Sequence, residues 1–138
     1  MEKLFKTKES GKFKMIEESE NNKKKILFVC RANVSRSVTA ETVFSQLAEV
    51  SKLELEVKSA GINAADSGTQ ISKELTDSCD KIYVMEEYMK DFLIHNYKTN
   101  PNKIINLNIE DIYQPFDEEL VRFFKNYFLD NFFSKKSG

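Results

Sequence analysis

The hydrophobic positions of the chain follow two patterns, one typical of buried strands and one typical of amphipathic helices. Residues 26–29 form a continuous run of Ile, Leu, Phe and Val, which is typical of a parallel strand buried on both faces. The run at 82–85 has the same character, and the run at 104–107 is apolar except for Asn106. Residues 53–57 instead alternate between Leu or Val and Glu, which predicts a half-covered strand.

Between these runs, the apolar positions recur at helical spacing. We predict helices over 38–48 and 86–94, a last helix from about residue 117, and a short helix over 72–78. Strands and helices therefore alternate along the chain. This order indicates an α/β fold, a small four-stranded parallel sheet with right-handed crossovers and helices on both faces. In such sheets, ligands bind at the carboxyl ends of the strands.

The two ends of the chain differ from this alternating region. Residues 1–24 are rich in Lys and Glu and show no sustained apolar period, so we expect a flexible extension. Residues 25–133 form the predicted domain, and we expect 134–138 to be a disordered tail. Phe132 and Phe133 follow the last helix, where they either fold back or form a dimer patch. For the oligomeric state, the sequence leaves two alternatives, a monomer and a weak homodimer.

Composition narrows the possible classes of function. The chain has 138 residues, 41% of them hydrophobic, and a formal net charge of −1. This suits one packed domain and excludes a nucleic-acid binder that acts through bulk positive charge. The apolar runs are short and no secretory signal is visible, so we expect no membrane contact and a cytoplasmic location. Two cysteines are too few for a disulfide framework.

The segment after the first predicted strand carries the residues best suited to chemistry. Cys30 ends the strand, and Arg36 follows after five intervening residues, just before a predicted helix. Successive amides before a helix N-terminus form a concave anion site, and its field favours a thiolate. The Arg36 guanidinium can bind two phosphate oxygens at once. Ser37 can donate a hydrogen bond to the thiolate, and Asn33 suits a left-handed backbone position.

These residues resemble the phosphate loop of the low-molecular-weight protein tyrosine phosphatases. The similarity continues in five further motifs along the chain, at 39–41, 59–61, 80–86, 109–113 and 116–120. The last two are similar to the short bacterial branch of that family. The resemblance covers about residues 25–130. It implies a flavodoxin-like three-layer fold and a phosphatase activity that needs no cofactor and no metal.

Carried onto this sequence, the family mechanism implies that Cys30 attacks the phosphorus of an aryl phosphate and forms a phosphocysteine, while Arg36 holds the phosphate. Asp111 would protonate the leaving phenolate and then activate water, and Asp117 is the alternative general acid. Tyr113 would flank the substrate ring. The residues expected to bind phosphate or support the loop are Arg31, Ala32, Asn33, Val34, Ser35, Ser37 and Ser59.

The sequence also departs from the family pattern near this site. Val38 replaces a proline in the first helical turn, at a small expected cost in stability. Ala32 replaces a glycine, which would strain the loop if that position required a positive φ. Glu110 replaces the proline before the predicted acid. Ser35 stands where many relatives carry a second cysteine, so Cys30 has no disulfide partner beside it.

The predicted function is that of an enzyme, a cysteine-dependent protein tyrosine phosphatase. Its partners would be a phosphorylated protein or a small aryl phosphate, together with inorganic phosphate. A non-catalytic module that binds phosphate or a phosphoprotein is the alternative. An arsenate reductase is a weaker alternative, because its thiol relay needs two more cysteines and only Cys79 follows Cys30. We expect Cys79 to be a small buried residue and His95 to be solvated or at the core edge.

Overall fold

The computed structural model describes residues 23–133. The predictions made for residues 1–22 and for the tail at 134–138 lie outside this part of the chain. One sheet runs through the described part in the order β2-β1-β3-β4, with every neighbouring pair parallel. Its strands are β1 (Lys24–Cys30), β2 (Leu55–Gly61), β3 (Lys81–Val84) and β4 (Ile104–Asn106). The predicted four-stranded parallel sheet is thereby confirmed, and β1 begins one residue before the predicted domain boundary.

Four α-helices accompany the sheet within residues 23–133. They are α1 (Arg36–Ser51), α2 (Lys73–Ser78), α3 (Glu87–Tyr97) and α4 (Glu118–Phe128). A 3-10 turn over Pro101–Lys103 leads into β4, and a π-helical turn over Leu129–Phe133 extends α4. Helix α1 is longer at both ends than the apolar pattern predicts. No helix among residues 23–133 has the length and apolarity that crossing a membrane requires.

The core is built around β1, which lies between two neighbouring strands and is covered on both faces. Residues 26–29 have no exposed surface, as their continuous apolar run predicts. The Phe28 ring packs edge-on against Phe44 of α1 at 4.8 Å and stacks on Tyr83 of β3 at 5.2 Å. On α4, Phe124 and other residues of one face are buried against α1. Aromatic contacts therefore join α1 and α4 to the sheet.

The phenylalanines after α4 resolve one alternative that the sequence leaves open. The Phe132 ring lies 5.3 Å from Phe44 and stacks on Phe128 at 5.6 Å, so Phe132 folds back onto the core. Phe133 remains 48% exposed. The oligomeric state stays a prediction.

The topology brings three connections to the same edge of the sheet. Backbone hydrogen bonds continue past the strand ends: Met85 N donates to Val29 O at 3.2 Å, and Ile109 N donates to Met85 O at 2.8 Å. The segments that follow β1, β3 and β4 are therefore held side by side at the carboxyl edge of the sheet. This is where open parallel sheets bind ligands.

We predict that Phe44→Ala lowers the free energy of unfolding by about 3–5 kcal/mol, because the substitution removes a fully buried ring and leaves a cavity. Urea denaturation followed by circular dichroism measures the loss. Phe133→Ala is the matched control and should cost no more than about 0.5 kcal/mol, because its ring is largely exposed. Equal losses of unfolding free energy in the two variants would contradict the placement of Phe44 in the core and of Phe133 near the surface.

Candidate active site

The phosphate loop, defined here as residues 30–36, connects the end of β1 to the first residue of α1. Asn33 has φ of 57°, so the left-handed conformation predicted for it is present. Ala32 is absent from the described residues with positive φ, and the strain considered for that position does not arise. Val38 lies in the first turn of α1, where its side chain is half-buried and the helix continues without interruption.

Cys30 lies at the bottom of this loop with 3% of its surface exposed. Its Sγ atom accepts a hydrogen bond from Asn33 N at 3.2 Å and lies 3.0 Å from Ser37 Oγ. The sulfur is thus surrounded by donors from the loop backbone and from the first turn of α1.

A chain of hydrogen bonds behind the sulfur leaves the hydroxyl hydrogen of Ser37 available to Cys30. Ser59 Oγ donates to Glu41 Oε1, because a carboxylate can only accept. Asn33 Nδ2 then donates to Ser59 Oγ at 3.0 Å and to Ser37 Oγ at 2.8 Å. Since Ser37 Oγ accepts from Asn33, its own hydrogen is free for Cys30 Sγ.

The amide orientation of Asn33 is set independently, because Thr69 N donates to Asn33 Oδ1 at 2.8 Å. Asn33 therefore joins the phosphate loop to α1, to β2 and to the loop after β2. The structure brings Ser37 and Ser59, two of the residues named from the sequence, into this network. Glu41, whose role the sequence analysis left unassigned, ends the network on α1. In the sequence, the position of Glu41 one helical turn after Ser37 was the feature that could have indicated this role.

Two glycines allow the phosphate loop to pack closely against neighbouring segments. A Cβ atom on Gly61 would lie 2.6 Å from Arg31 O and 2.8 Å from Asn33 N, both backbone atoms. A Cβ atom on Gly68 would lie 2.9 Å from Asn33 O. These contacts are too short for a side chain, so the loop conformation depends on glycine at both positions.

Arg36 is the largest fully buried side chain, with 2% of its surface exposed. Its Nη1 atom donates to Glu86 Oε2 and to Ile109 O, each at 2.6 Å. Nη2 lies 3.7 Å from Asp111 Oδ2. A guanidinium at this depth is stabilised by these paired acceptors. The segments after β1, β3 and β4 all meet at this one side chain.

Glu86 is a site residue that the sequence analysis missed. It follows β3 after one intervening residue, at the carboxyl edge of the sheet, and forms a partly buried ion pair with Arg36. Because parallel strands end at the same edge, a carboxylate placed there was the signal that could have identified it. Two carboxylates thus lie beside Arg36, one after β3 and one after β4.

The acid loop, defined here as residues 107–117, carries both candidates for the general acid. Asp111 lies close to Arg36, and 58% of its side chain is exposed. Asp117 is the N-cap of α4, where its Oδ1 atom accepts from Glu119 N at 2.8 Å. Of the two carboxylates, the structure places Asp111 at the arginine and gives Asp117 a helix-capping position.

Two tyrosines lie near these loops. The Tyr113 ring lines a cavity of about 580 Å³ together with Glu86, Glu119 and Phe123. Burial and Glu119 raise the pKa of Tyr113. Tyr88, for which the sequence pattern indicated no role, lies in the first turn of α3 with 46% exposure.

Tyr88 lies two residues after Glu86, the ion-pair partner of Arg36. Burial and the nearby Glu86 raise the pKa of Tyr88, while Arg36 and Arg31 act in the opposite direction. The positive charges of both arginines therefore act electrostatically on the Tyr88 hydroxyl. In the sequence, a tyrosine in the first turn of the helix after β3 was the feature that could have identified Tyr88 as a site residue.

The remaining chemically interesting residues lie elsewhere. Asp80 N donates to Lys25 O at 2.7 Å, which places the adjacent Cys79 at the amino end of the sheet. The length of β1 separates it from Cys30 by roughly 16 Å, far beyond the disulfide range of about 7 Å. Burial raises the pKa of the Cys79 thiol. His95 is exposed on α3, with its ring bonded to Asp91 O.

Comparison with known proteins bears on this arrangement. A sequence model of the family described as low molecular weight phosphotyrosine protein phosphatase matches residues 25–82, which include β1, the phosphate loop, α1 and β2. The predicted resemblance to this family is confirmed over these residues. A protein-arginine-phosphatase of Bacillus subtilis is 26% identical to this chain, over 59% of this chain and 69% of the relative.

Solved structures of the family share the fold. The low molecular weight protein tyrosine phosphatase from T. tengcongensis gives a TM-score of 0.68 at 20% identity, covering 81% of this chain and 99% of that one. A mutant of the YwlE arginine phosphatase with a phosphorylated active-site serine gives 0.64 at 22% identity, covering 78% and 97%. These two proteins are named for different substrates: the protein from T. tengcongensis is a tyrosine phosphatase, and YwlE is an arginine phosphatase.

We predict that Gly61→Ala displaces the phosphate loop, because the added methyl group would meet backbone atoms of Arg31 and Asn33. The substitution should lower the free energy of unfolding by about 1–3 kcal/mol. It should also reduce or abolish the rise in melting temperature that we expect inorganic phosphate to produce in the unaltered protein. Thermal denaturation with and without phosphate measures both effects. An unchanged phosphate response would show that the loop tolerates a side chain at this position.

Proposed function

We propose that this protein is a cysteine-dependent phosphatase that hydrolyses phosphotyrosine or a similar aryl phosphate monoester. The observation that carries the proposal is the convergence of three side chains at one edge of the sheet. Cys30 Sγ lies within a loop of donors, and Arg36 follows at the start of α1. Asp111 lies 3.7 Å from that arginine. These groups supply a nucleophile, a fixed positive charge and a proton donor.

In the first proposed step, the Cys30 thiolate attacks phosphorus and the bond from phosphorus to the aryl oxygen breaks. The electron pair of that bond leaves with the phenolate oxygen, which takes the proton of Asp111. The product is a phosphocysteine and a neutral phenol. Loop amides and Arg36 hold the equatorial oxygens through a loose transition state.

In the second proposed step, the Asp111 carboxylate takes a proton from water, and the water oxygen attacks the phosphocysteine. The sulfur–phosphorus bond breaks, and inorganic phosphate and the Cys30 thiolate are released. The hydrogen that Ser37 directs at Sγ stabilises the sulfur as it leaves. The phosphorylated active-site serine in a YwlE mutant supports an enzyme-bound phosphoryl group as the intermediate in that relative, and we extend it to this chain.

The apolar surface around the loops supports an aryl substrate. Val34, Tyr88 and Ile112 are 45%, 46% and 68% exposed. Val34 belongs to the phosphate loop, Ile112 adjoins Asp111, and Tyr88 lies near both arginines. Exposed apolar side chains beside a concave polar site are typical of ligand-binding surfaces. We propose that Val34, Tyr88 and Ile112 contact the aromatic ring, and Tyr113 stays a predicted flanking residue.

Phosphoarginine is the second candidate substrate. A protein-arginine-phosphatase is among the relatives of this chain, and the carboxylates of Glu86 and Asp111 lie at the site. Carboxylates are the groups that a guanidinium leaving group would pair with. In both cases the natural partner would be a phosphorylated protein. The mechanism requires a reduced Cys30, so a cytoplasmic location stays part of the proposal.

We predict that Cys30→Ser abolishes turnover of para-nitrophenyl phosphate, because a serine hydroxyl is a far weaker nucleophile than a thiolate. The unaltered protein should turn this ester over and also hydrolyse a phosphotyrosine peptide faster than a matched phosphoarginine peptide. Release of inorganic phosphate measures all three reactions. Faster hydrolysis of the phosphoarginine peptide would establish the second candidate. Phosphate binding without turnover of any ester would favour a non-catalytic binding module.

We predict that Asp111→Asn lowers kcat/KM for phenyl phosphate by about 100-fold or more, which is the usual contribution of a general acid. Asp117→Asn is the matched control. Asparagine is as good an N-cap as aspartate, so this variant should keep both α4 and the activity. Steady-state kinetics at one pH decides between the two residues. A large loss in Asp117→Asn alone would transfer the role of the acid to Asp117.

A further inference from the structure

Asp111 lies midway between two hydrogen bonds that anchor the acid loop to the phosphate loop. Two residues before it, Ile109 O accepts from Arg36 Nη1 at 2.6 Å. Two residues after it, Tyr113 O accepts from Ser35 Oγ at 2.7 Å. Both donors belong to the phosphate loop. The backbone that carries Asp111 is thus tied on either side to the loop that would hold the substrate phosphate.

A third contact lies further along the acid loop. Phe116 N donates to Thr39 Oγ1 of α1 at 3.0 Å. Phe116 has φ of 62°, a conformation that an aromatic residue rarely adopts and that surrounding structure must maintain. Thr39 is fully buried, so its hydroxyl is a fixed point. The acid loop is therefore held along its length by side chains from the phosphate loop and α1.

These anchors matter because the Asp111 side chain itself is weakly held. It is 58% exposed and its ion contact with Arg36 is 3.7 Å long, beyond ordinary hydrogen-bond distance. A general acid must come within about 3 Å of the leaving oxygen. The position of the carboxylate therefore depends on the backbone that carries it.

We propose that Ser35 is a positioning residue for the general acid: its hydroxyl bond to Tyr113 O holds Asp111 over the phosphate loop. This inference rests on the proposed function and on Asp111 as the acid. Ser35 need not touch the substrate, since it acts through the acid loop. Arg36 supplies the other anchor but also binds phosphate, so Ser35 is the anchor that can be removed without altering the proposed binding charge.

The role has a signature that a general structural role would lack. Loss of the acid slows esters whose leaving group must be protonated, and affects esters with a stable phenolate much less. We expect Ser35→Ala to lower kcat/KM about 3- to 10-fold for phenyl phosphate, the effect of losing one hydrogen bond. For para-nitrophenyl phosphate, the loss should stay below about twofold, because nitrophenolate departs without a proton.

Three further variants make the test specific. Ser35→Thr keeps the hydroxyl and should restore most of the lost activity toward phenyl phosphate. Ser35→Cys, assayed with excess dithiothreitol so that no disulfide forms with Cys30, offers only a weak donor and should resemble Ser35→Ala. Ser67→Ala is the matched control, because Ser67 Oγ donates to Ala32 O at 2.6 Å and anchors the phosphate loop from the other side. Its effect should be equal for the two esters.

The outcomes separate the inference from the proposed function. If the unaltered protein turned over neither ester, the proposed function would be wrong, and this inference would be wrong with it. Asp111→Asn could lower activity mainly toward phenyl phosphate while Ser35→Ala lowers activity toward both esters equally. In that case the proposed phosphatase function stands and the positioning role of Ser35 is wrong. Inhibition by inorganic phosphate that is unchanged in Ser35→Ala, together with the selective loss, would establish the role. An unstable Ser35→Ala protein with fully active Ser35→Cys would also overturn it, since no strong donor would then be needed.

Discussion

The buried guanidinium of Arg36 is the group on which the geometry of the site depends. It is almost fully enclosed, yet its donors reach Glu86 after β3 and Ile109 O and Asp111 after β4. An arginine at this depth is tolerated because acceptors surround it. Through these contacts, Arg36 links the segments after β1, β3 and β4, which are far apart in the sequence. Removing the Glu86 carboxylate would leave part of a buried charge unpaired, which is costly.

Asn33 has the corresponding function on the other side of Cys30. Its backbone adopts a left-handed conformation and directs its N–H at the sulfur, while its side chain bonds Ser37, Ser59 and Thr69 N. Because one amide supplies donors to two hydroxyls, the hydrogen of Ser37 is left for Cys30. Asn33 thus sets the donors around the sulfur, and Arg36 sets the distance between the phosphate loop and the acid loop. The two halves of the site are held by separate networks.

Much of the fold could be predicted from the pattern of hydrophobic residues. The run at 26–29 is continuous because β1 is central and covered on both faces, and Asp117 starts α4 as a cap in the expected place. Helix ends were less predictable. Helix α1 includes Arg36 and Ser37, whose polar side chains are buried by the site rather than by the apolar core. Apolar periodicity carries no signal for such residues.

The sequence by itself determined the sheet, the phosphate loop and the identity of its cysteine and arginine, because these depend on spacing within one short segment. It also indicated the left-handed Asn33. Only the tertiary structure decided that Glu86 pairs with Arg36, that Phe132 folds back, and that Asp111 rather than Asp117 lies beside the arginine. Those outcomes depend on contacts between segments after different strands. Spacing along the chain cannot specify them, because the parallel sheet brings together strand ends that lie 50 or more residues apart.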